Sequence, residues 1–218
     1  MKIINISGLL KQPVKDVALL DLQWSTIETR IFAISFSIGV VVLIYLLRLD
    51  WKRYGLFSLI AALMGGILCT LFVSMGLYKF PYLPIPNKLG IPVEIMSLVF
   101  PSIIALSVRY SPIDWTYKIP YYWVIVHIFV FIELLIQEKT NLIKYTLAWD
   151  LWDTYSAWWI YFLVLEWIGG KIITSNLRKP IDTQAFRYGN WAWILLHAIL
   201  IFTIFLGGLY TGTLLAKT

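Results

Sequence analysis

GLFSLIAALMGGILCTLFVSMGL, residues 55–77, runs for 23 residues without a charged side chain. As a helix it would be about 35 Å long, enough to cross the ~30 Å hydrocarbon core of a bilayer. Working outward, comparable apolar runs occupy about 31–47, 91–108, 120–136, 151–168 and 191–215. Of 218 residues, 60% are hydrophobic and 14% charged, against roughly 45–50% and 25% in soluble domains. A soluble fold of this size would lack the polar residues to cover its surface. The expected fold is therefore all-α, an integral membrane bundle of about six transmembrane helices spanning 31–218. Residues 1–30 are set apart as an N-terminal interfacial segment. Their apolar positions Val14, Val17, Ala18 and Leu22 alternate with Lys15, Asp16 and Asp21, a pattern that suits a helix lying on the bilayer. No cleavable leader is expected.

The charge between spans is the next constraint. Arg48, Asp50, Lys52 and Arg53 end the first span, and Arg109 closes the third, which is expected to kink at Pro101. Pro81, Pro84, Pro86 and Pro92 stiffen the connector after the second span, with Tyr78, Phe80 and Tyr82 at interface depth. Six spans put the N-terminus, the second and fourth loops and the C-terminus on a first face. Lys and Arg divide almost evenly between the faces, and the second face is weakly favoured as cytoplasmic. The net charge of +6 comes with no basic run interleaved with aromatics, so a nucleic-acid partner is dropped. Cys69 is the single cysteine, which rules out an intramolecular disulfide and a Cys-rich metal site. No cofactor is implied. Two rows on the second span, Ala61-Gly65-Cys69 and Ala62-Gly66-Thr70-Ser74, put small residues on one helix face each. Packing within the bundle is the favoured reading, and a contact with a second copy or another membrane protein is the alternative.

Ionisable residues inside spans raise a functional question by default. Glu94, Glu133 and Asp153, with Asp150 one turn behind, fall within about 5 Å of one depth near the first face. If they converge, the layer suits a cation or a shared proton. If they diverge, each reaches water or pairs with Lys79, Lys88, Lys139 or Lys144, and this second reading is preferred. His127 and His197 share a depth near the other face, with Glu166 close by and Arg109 at the edge. A His-His-Glu metal site can be drawn from them, although isolated histidines are more often hydrogen-bonded core residues. Trp158 and Trp159 stand mid-span in the aromatic fifth segment, either packed against lipid and neighbouring helices or lining a pocket.

The run Glu133-Leu-Leu-Ile-Gln-Glu-Lys-Thr140-Asn141-Leu142-Ile143-Lys144-Tyr145, followed by Trp149, resembles a family of small multi-spanning membrane proteins of spore-forming Gram-positive bacteria. The likeness covers roughly residues 50–175 and includes Val73-Ser74 through Tyr78-Lys79-Phe80-Pro81 to Pro101. It implies a bacterial cell membrane, multi-pass, and directs attention to Glu133, Thr140, Asn141, Lys144 and Trp149, but it supplies no activity. The long N-terminal segment and the last span depart from the family pattern. A weaker likeness links Ile91-Pro92-Val93-Glu94 to membrane-bound carotenoid cyclases, whose proline is followed by two adjacent acids. Here Ile95 replaces the second acid, which puts acid catalysis by that motif in doubt.

Three functions follow as expectations. The first is a bundle that binds or passes a small cation or amphiphile, with Glu94, Glu133, Asp150, Asp153, Asn141 and Lys144 as candidates. The second is a structural or accessory membrane subunit. The third, an intramembrane enzyme acting on an isoprenoid or lipid, has no nucleotide loop, nucleophile motif or zinc-protease pattern behind it.

Overall fold

The computed structural model describes residues 26–146 and 149–182, with isolated positions between 195 and 213. Most of the N-terminal segment and of the expected sixth span, including His197, lies outside the described residues. Among the described residues the architecture is helical. Its elements are α1 (Ile27–Leu49), α2 (Trp51–Ser74), α3 (Phe100–Tyr110), α4 (Trp115–Lys139) and α5 (Leu151–Ile172), with two-residue strands β1 (Tyr78–Lys79) and β2 (Lys144–Tyr145). Helices α1, α2 and α4 are each long and apolar enough to cross a membrane.

Local chemistry sets the helix ends. Thr26 caps α1 by accepting from the Thr29 N–H at 3.3 Å, so Glu28 and Arg30 sit in the first turns of α1. Helix α1 therefore begins at Ile27, four residues before the first span expected from residue 31, because a threonine cap outweighs the charges that follow it. Asp50 alone joins α1 to α2. Its N–H donates back to the Leu46 carbonyl at 3.3 Å, while its carboxylate accepts from the Arg53 N–H at 2.9 Å and caps α2. Helix α4 starts five residues before the expected boundary at Pro120, which lies inside the helix at its sixth position and leaves the Thr116 carbonyl without the N–H it would otherwise accept from.

Helix α3 is entered through a wide π-type turn, Ile95–Val99, in which the Phe100 N–H reaches back five residues to the Ile95 carbonyl. Pro101 follows at once. The irregularity expected at this proline takes the form of an overwide turn just before it. Gly39 of α1 rests on that turn, and a Cβ there would stand 2.9 Å from the Val99 Cα and 2.9 Å from Leu98 Cδ2. Because one of the two obstacles is backbone, Gly39→Ala is expected to lower stability by about 1–3 kcal/mol. Thermal unfolding in detergent measures this, and an unchanged midpoint would refute the contact.

Helices α2 and α3 hold the centre, touching α1 on one side and α5 on the other, and α4 packs on α5. The core is made of Leu46, Tyr54, Phe57, Ala61, Ile104, Val108, Tyr122, Val126, Phe162 and Leu165. The row Ala61-Gly65-Cys69 faces inward. The Tyr161 hydroxyl donates to the Ala61 carbonyl at 2.7 Å, and a Cβ on Gly65 would come 2.6 Å from that hydroxyl. The second row lies open at Gly66, where an added Cβ would meet nothing within 4 Å.

The loops at the first face are tied to each other. Strands β1 and β2 pair antiparallel, Tyr78 opposite Tyr145 and Lys79 opposite Lys144. The Thr146 N–H and hydroxyl both donate to the Leu77 carbonyl, at 3.1 and 2.8 Å. The Tyr82 N–H donates to the Asn141 carbonyl at 3.0 Å, and Tyr82 and Thr29 hydroxyls meet at 2.7 Å. The proline-rich connector and the loop between α4 and α5 thus form one roof.

Candidate functional site

Beneath the roof is a cavity of about 470 Å³. Its walls come from five directions: Ile31, Phe32 and Ser35 of α1; Gly65, Leu68, Cys69 and Phe72 of α2; Met96, Val99 and Phe100 around the wide turn; Phe129, Ile132 and Glu133 of α4; and Thr154, Ala157, Trp158 and Tyr161 of α5. Tyr78, Phe80, Tyr82, Leu142 and Trp149 close the top. The volume lies within the ~300–1,000 Å³ that small-molecule sites occupy.

Glu133 is the one charged side chain on this wall among the described residues. The Tyr145 hydroxyl donates to its Oε1 at 2.8 Å, and the Trp158 Nε1–H donates to its Oε2 at 2.7 Å. No Lys, Arg or His among the described residues comes within ion-pair distance of it. The neutral donors fix the carboxyl's orientation, and each oxygen keeps further acceptor capacity. Burial, followed by the negative charge of Glu133, pushes the Tyr145 phenol well above its ordinary range. Tyr145 therefore stays a neutral donor. Burial, then the neighbouring Cys69 and Glu133, does the same to Tyr78.

The other members of the acidic layer are occupied differently. Asp150 and Asp153 form a capping box for α5: the Asp150 Oδ1 accepts from the Trp152 and Asp153 N–H groups at 2.8 and 3.1 Å, and the Asp153 Oδ2 accepts from the Asp150 N–H at 3.0 Å. Glu94 does not line the cavity, and its Oε2 is sealed from solvent without a hydrogen-bond partner in the structure. Asn141 N–H donates to Glu28 Oε1 at 3.3 Å, and Lys144 Nζ donates to the Gln137 carbonyl at 2.5 Å. Thr140 hydroxyl donates to the Ile136 carbonyl at 2.6 Å and accepts from the Leu142 N–H at 3.2 Å. Asn141, Lys144 and Thr140 shape the turn between α4 and α5, and of the four acids in the expected layer Glu133 is the one that lines the cavity. Of its two donors, Trp158 is expected from its mid-span position either to pack or to line a pocket, whereas Tyr145 is not among the candidate site residues.

At the opposite face Glu166, fully buried, is enclosed by four donors. Lys118 Nζ lies 2.7 Å and Arg178 Nη2 2.8 Å from its Oε1. The Tyr122 and Ser111 hydroxyls donate to its Oε2 at 2.5 and 3.0 Å. Arg109 Nη1 donates to the Tyr54 hydroxyl at 3.1 Å and to the Leu177 carbonyl, tying the end of α3 to the segment after α5. His127 is elsewhere: its Nδ1 lies 2.9 Å from the Trp123 carbonyl and 2.7 Å from the Tyr155 hydroxyl. Tyr155 and Glu166 are eleven residues apart on α5, about 16 Å of helix. The imagined metal site is thus not assembled from His127 and Glu166, and His197 lies outside the described residues. No group of three or more His, Cys, Asp or Glu is placed to hold a metal among the described residues. The reason is pairing: Glu166 is consumed by two cations that arrive from other segments.

Comparison with protein-family profiles, with curated proteins and with solved structures finds no match.

Proposed function

We propose that the protein is a multi-pass component of a cell membrane that binds a small amphiphile in the roofed cavity, its apolar body among the aromatic walls and its polar end at Glu133. The supporting observation is a lone carboxyl, oriented by Tyr145 and Trp158 and unpaired with any cation among the described residues, on an otherwise uncharged wall. Such a group is expensive to bury and is kept where it has a task. In this reading the chain crosses six times: α1, α2 and α4 span by length and composition, α5 is about 33 Å long, the turn and α3 make a shorter crossing, and the apolar run 191–215 adds the sixth.

A dodecyl probe carrying a diazirine tests the reading on the purified chain in phosphatidylcholine nanodiscs. Light-driven insertion is expected at cavity residues such as Met96, Phe129 and Trp158, and Ala157→Phe, which fills the space, is expected to remove at least half of that label. Insertion confined to outward-facing residues such as Leu63 and Ile67 would sink it.

A second reading, an accessory subunit, rests on the open Gly66 row of α2. Small faces of this kind let helices approach closely. Gly66→Ile is then expected to abolish co-purification of a partner or second copy while leaving the cavity label intact.

A further inference from the structure

We infer that the cavity selects a lipophilic amine in its protonated form, with the ammonium group on Glu133. This rests on the amphiphile reading and names the head group.

The donor and acceptor inventory decides the class. Trp158 Nε1–H can only donate, so the Glu133 Oε2 beside it is an acceptor, and Oε1 accepts from Tyr145. In its ionised form the carboxyl offers only lone pairs, which call for a donor from the ligand. Thr154 and Tyr78 line the same space, and their hydroxyls can accept as well as donate, that of Thr154 already accepting from Trp149 Nε1 at 2.6 Å. An alkylammonium brings three N–H donors and no acceptor, which matches the lone pairs of an ionised Glu133. An alcohol brings one donor and leaves the charge of Glu133 unbalanced.

Charge points the same way. No Lys, Arg or His lines the cavity among the described residues. The nearby Lys144 is turned to the Gln137 carbonyl and Lys79 is exposed, and neither contributes to the wall. A carboxylate or phosphate head would therefore meet Glu133 with no compensating cation. The aromatic surroundings favour a cation as well. Trp158, which holds Glu133, packs edge-on to Phe100 at 5.0 Å and against Phe129 at 5.3 Å, and a positive group beside an aromatic face gains further attraction in a desolvated site.

The test is displacement of the diazirine probe from the cavity wall of the full chain in phosphatidylcholine nanodiscs. The competitors are dodecylamine, dodecanol and dodecanoate, each referenced to its concentration in the membrane. Dodecylammonium is expected to displace the probe at roughly tenfold or lower concentration than dodecanol, the scale of one charge-assisted hydrogen bond, with dodecanoate weakest. In Glu133→Gln, which keeps an acceptor for Trp158, amine and alcohol are expected to fall within about twofold of each other. Equal potency of amine and alcohol in the unaltered protein, or a preference for dodecanoate, overturns the inference while the cavity reading stands. A preference for the amine that survives Glu133→Gln overturns it too. If no competitor displaces the probe, or the probe never labels the wall, the cavity reading falls and takes the inference with it. Should the variant fail to fold, the ranking on the unaltered chain decides alone.

Discussion

Glu166→Gln is expected to remove about 3–5 kcal/mol of stability, the largest loss expected from a single polar change among the described residues. The carboxylate is fully buried, and two cations, Lys118 and Arg178, converge on one of its oxygens. Glutamine keeps the size and an acceptor but leaves both positive charges in a low-dielectric site with nothing to balance them. The loss comes from the stranded cations more than from the bonds themselves. Lys118→Met alone should do much less harm, because Arg178, Tyr122 and Ser111 still satisfy Glu166. Adding Lys118→Met to Glu166→Gln should then recover part of the deficit, so that the pair is clearly non-additive. Reversible unfolding in detergent measures all three. A Glu166→Gln chain within about 1 kcal/mol of the parent would show that the network is hydrated and carries little.

Phe162→Ala ranks next, at about 2–4 kcal/mol. Phe162 has no exposed surface and packs against Tyr122, Phe129 and Trp158, with ring centroids 5.7, 5.4 and 5.9 Å away. In a lipid-facing bundle little is gained by hiding apolar area from water, so most of the loss is dispersion contact and the void left behind. The position joins two centres, since Tyr122 donates to Glu166 and Trp158 donates to Glu133. The variant is therefore expected to loosen both and to admit larger probes into the cavity. Unfolding midpoints together with photolabelling by a bulkier diazirine check the two halves. Full stability with an unaltered labelling pattern would contradict this role.

What could be read from the amino-acid string follows from range. Helix positions depend on runs of neighbouring residues, so α1, α2 and α4 stand close to the apolar stretches that announced them. Ends were displaced where a local group overrode the hydropathy: Thr26 starts α1 early, and Lys118 is drawn into α4 by a carboxylate 48 positions away. The acidic layer was legible as a depth but not as a direction. Asp150 and Asp153 have the spacing of a capping box, a local signature that the sequence carries. Glu133 is the sequence candidate that lines the cavity, and its donors arrive from β2 and α5 and depend on helix order, which no span-by-span reading supplies. The roof was least visible. Two-residue strands have no period to detect, and the pairing of Tyr78 with Tyr145 joins loops that hydropathy treats as separate.

That roof has a consequence for the nascent chain. Thr146 bonds to a carbonyl 69 positions earlier, so an emerging polypeptide that has delivered its first two helices to the bilayer still lacks the strand that covers them. Glu133 is made 12 residues before Tyr145 and 25 before Trp158, so it precedes both of the donors that hold it. A chain truncated after residue 139 would therefore carry Glu133 without either donor and would lack β2, which covers the helices already made.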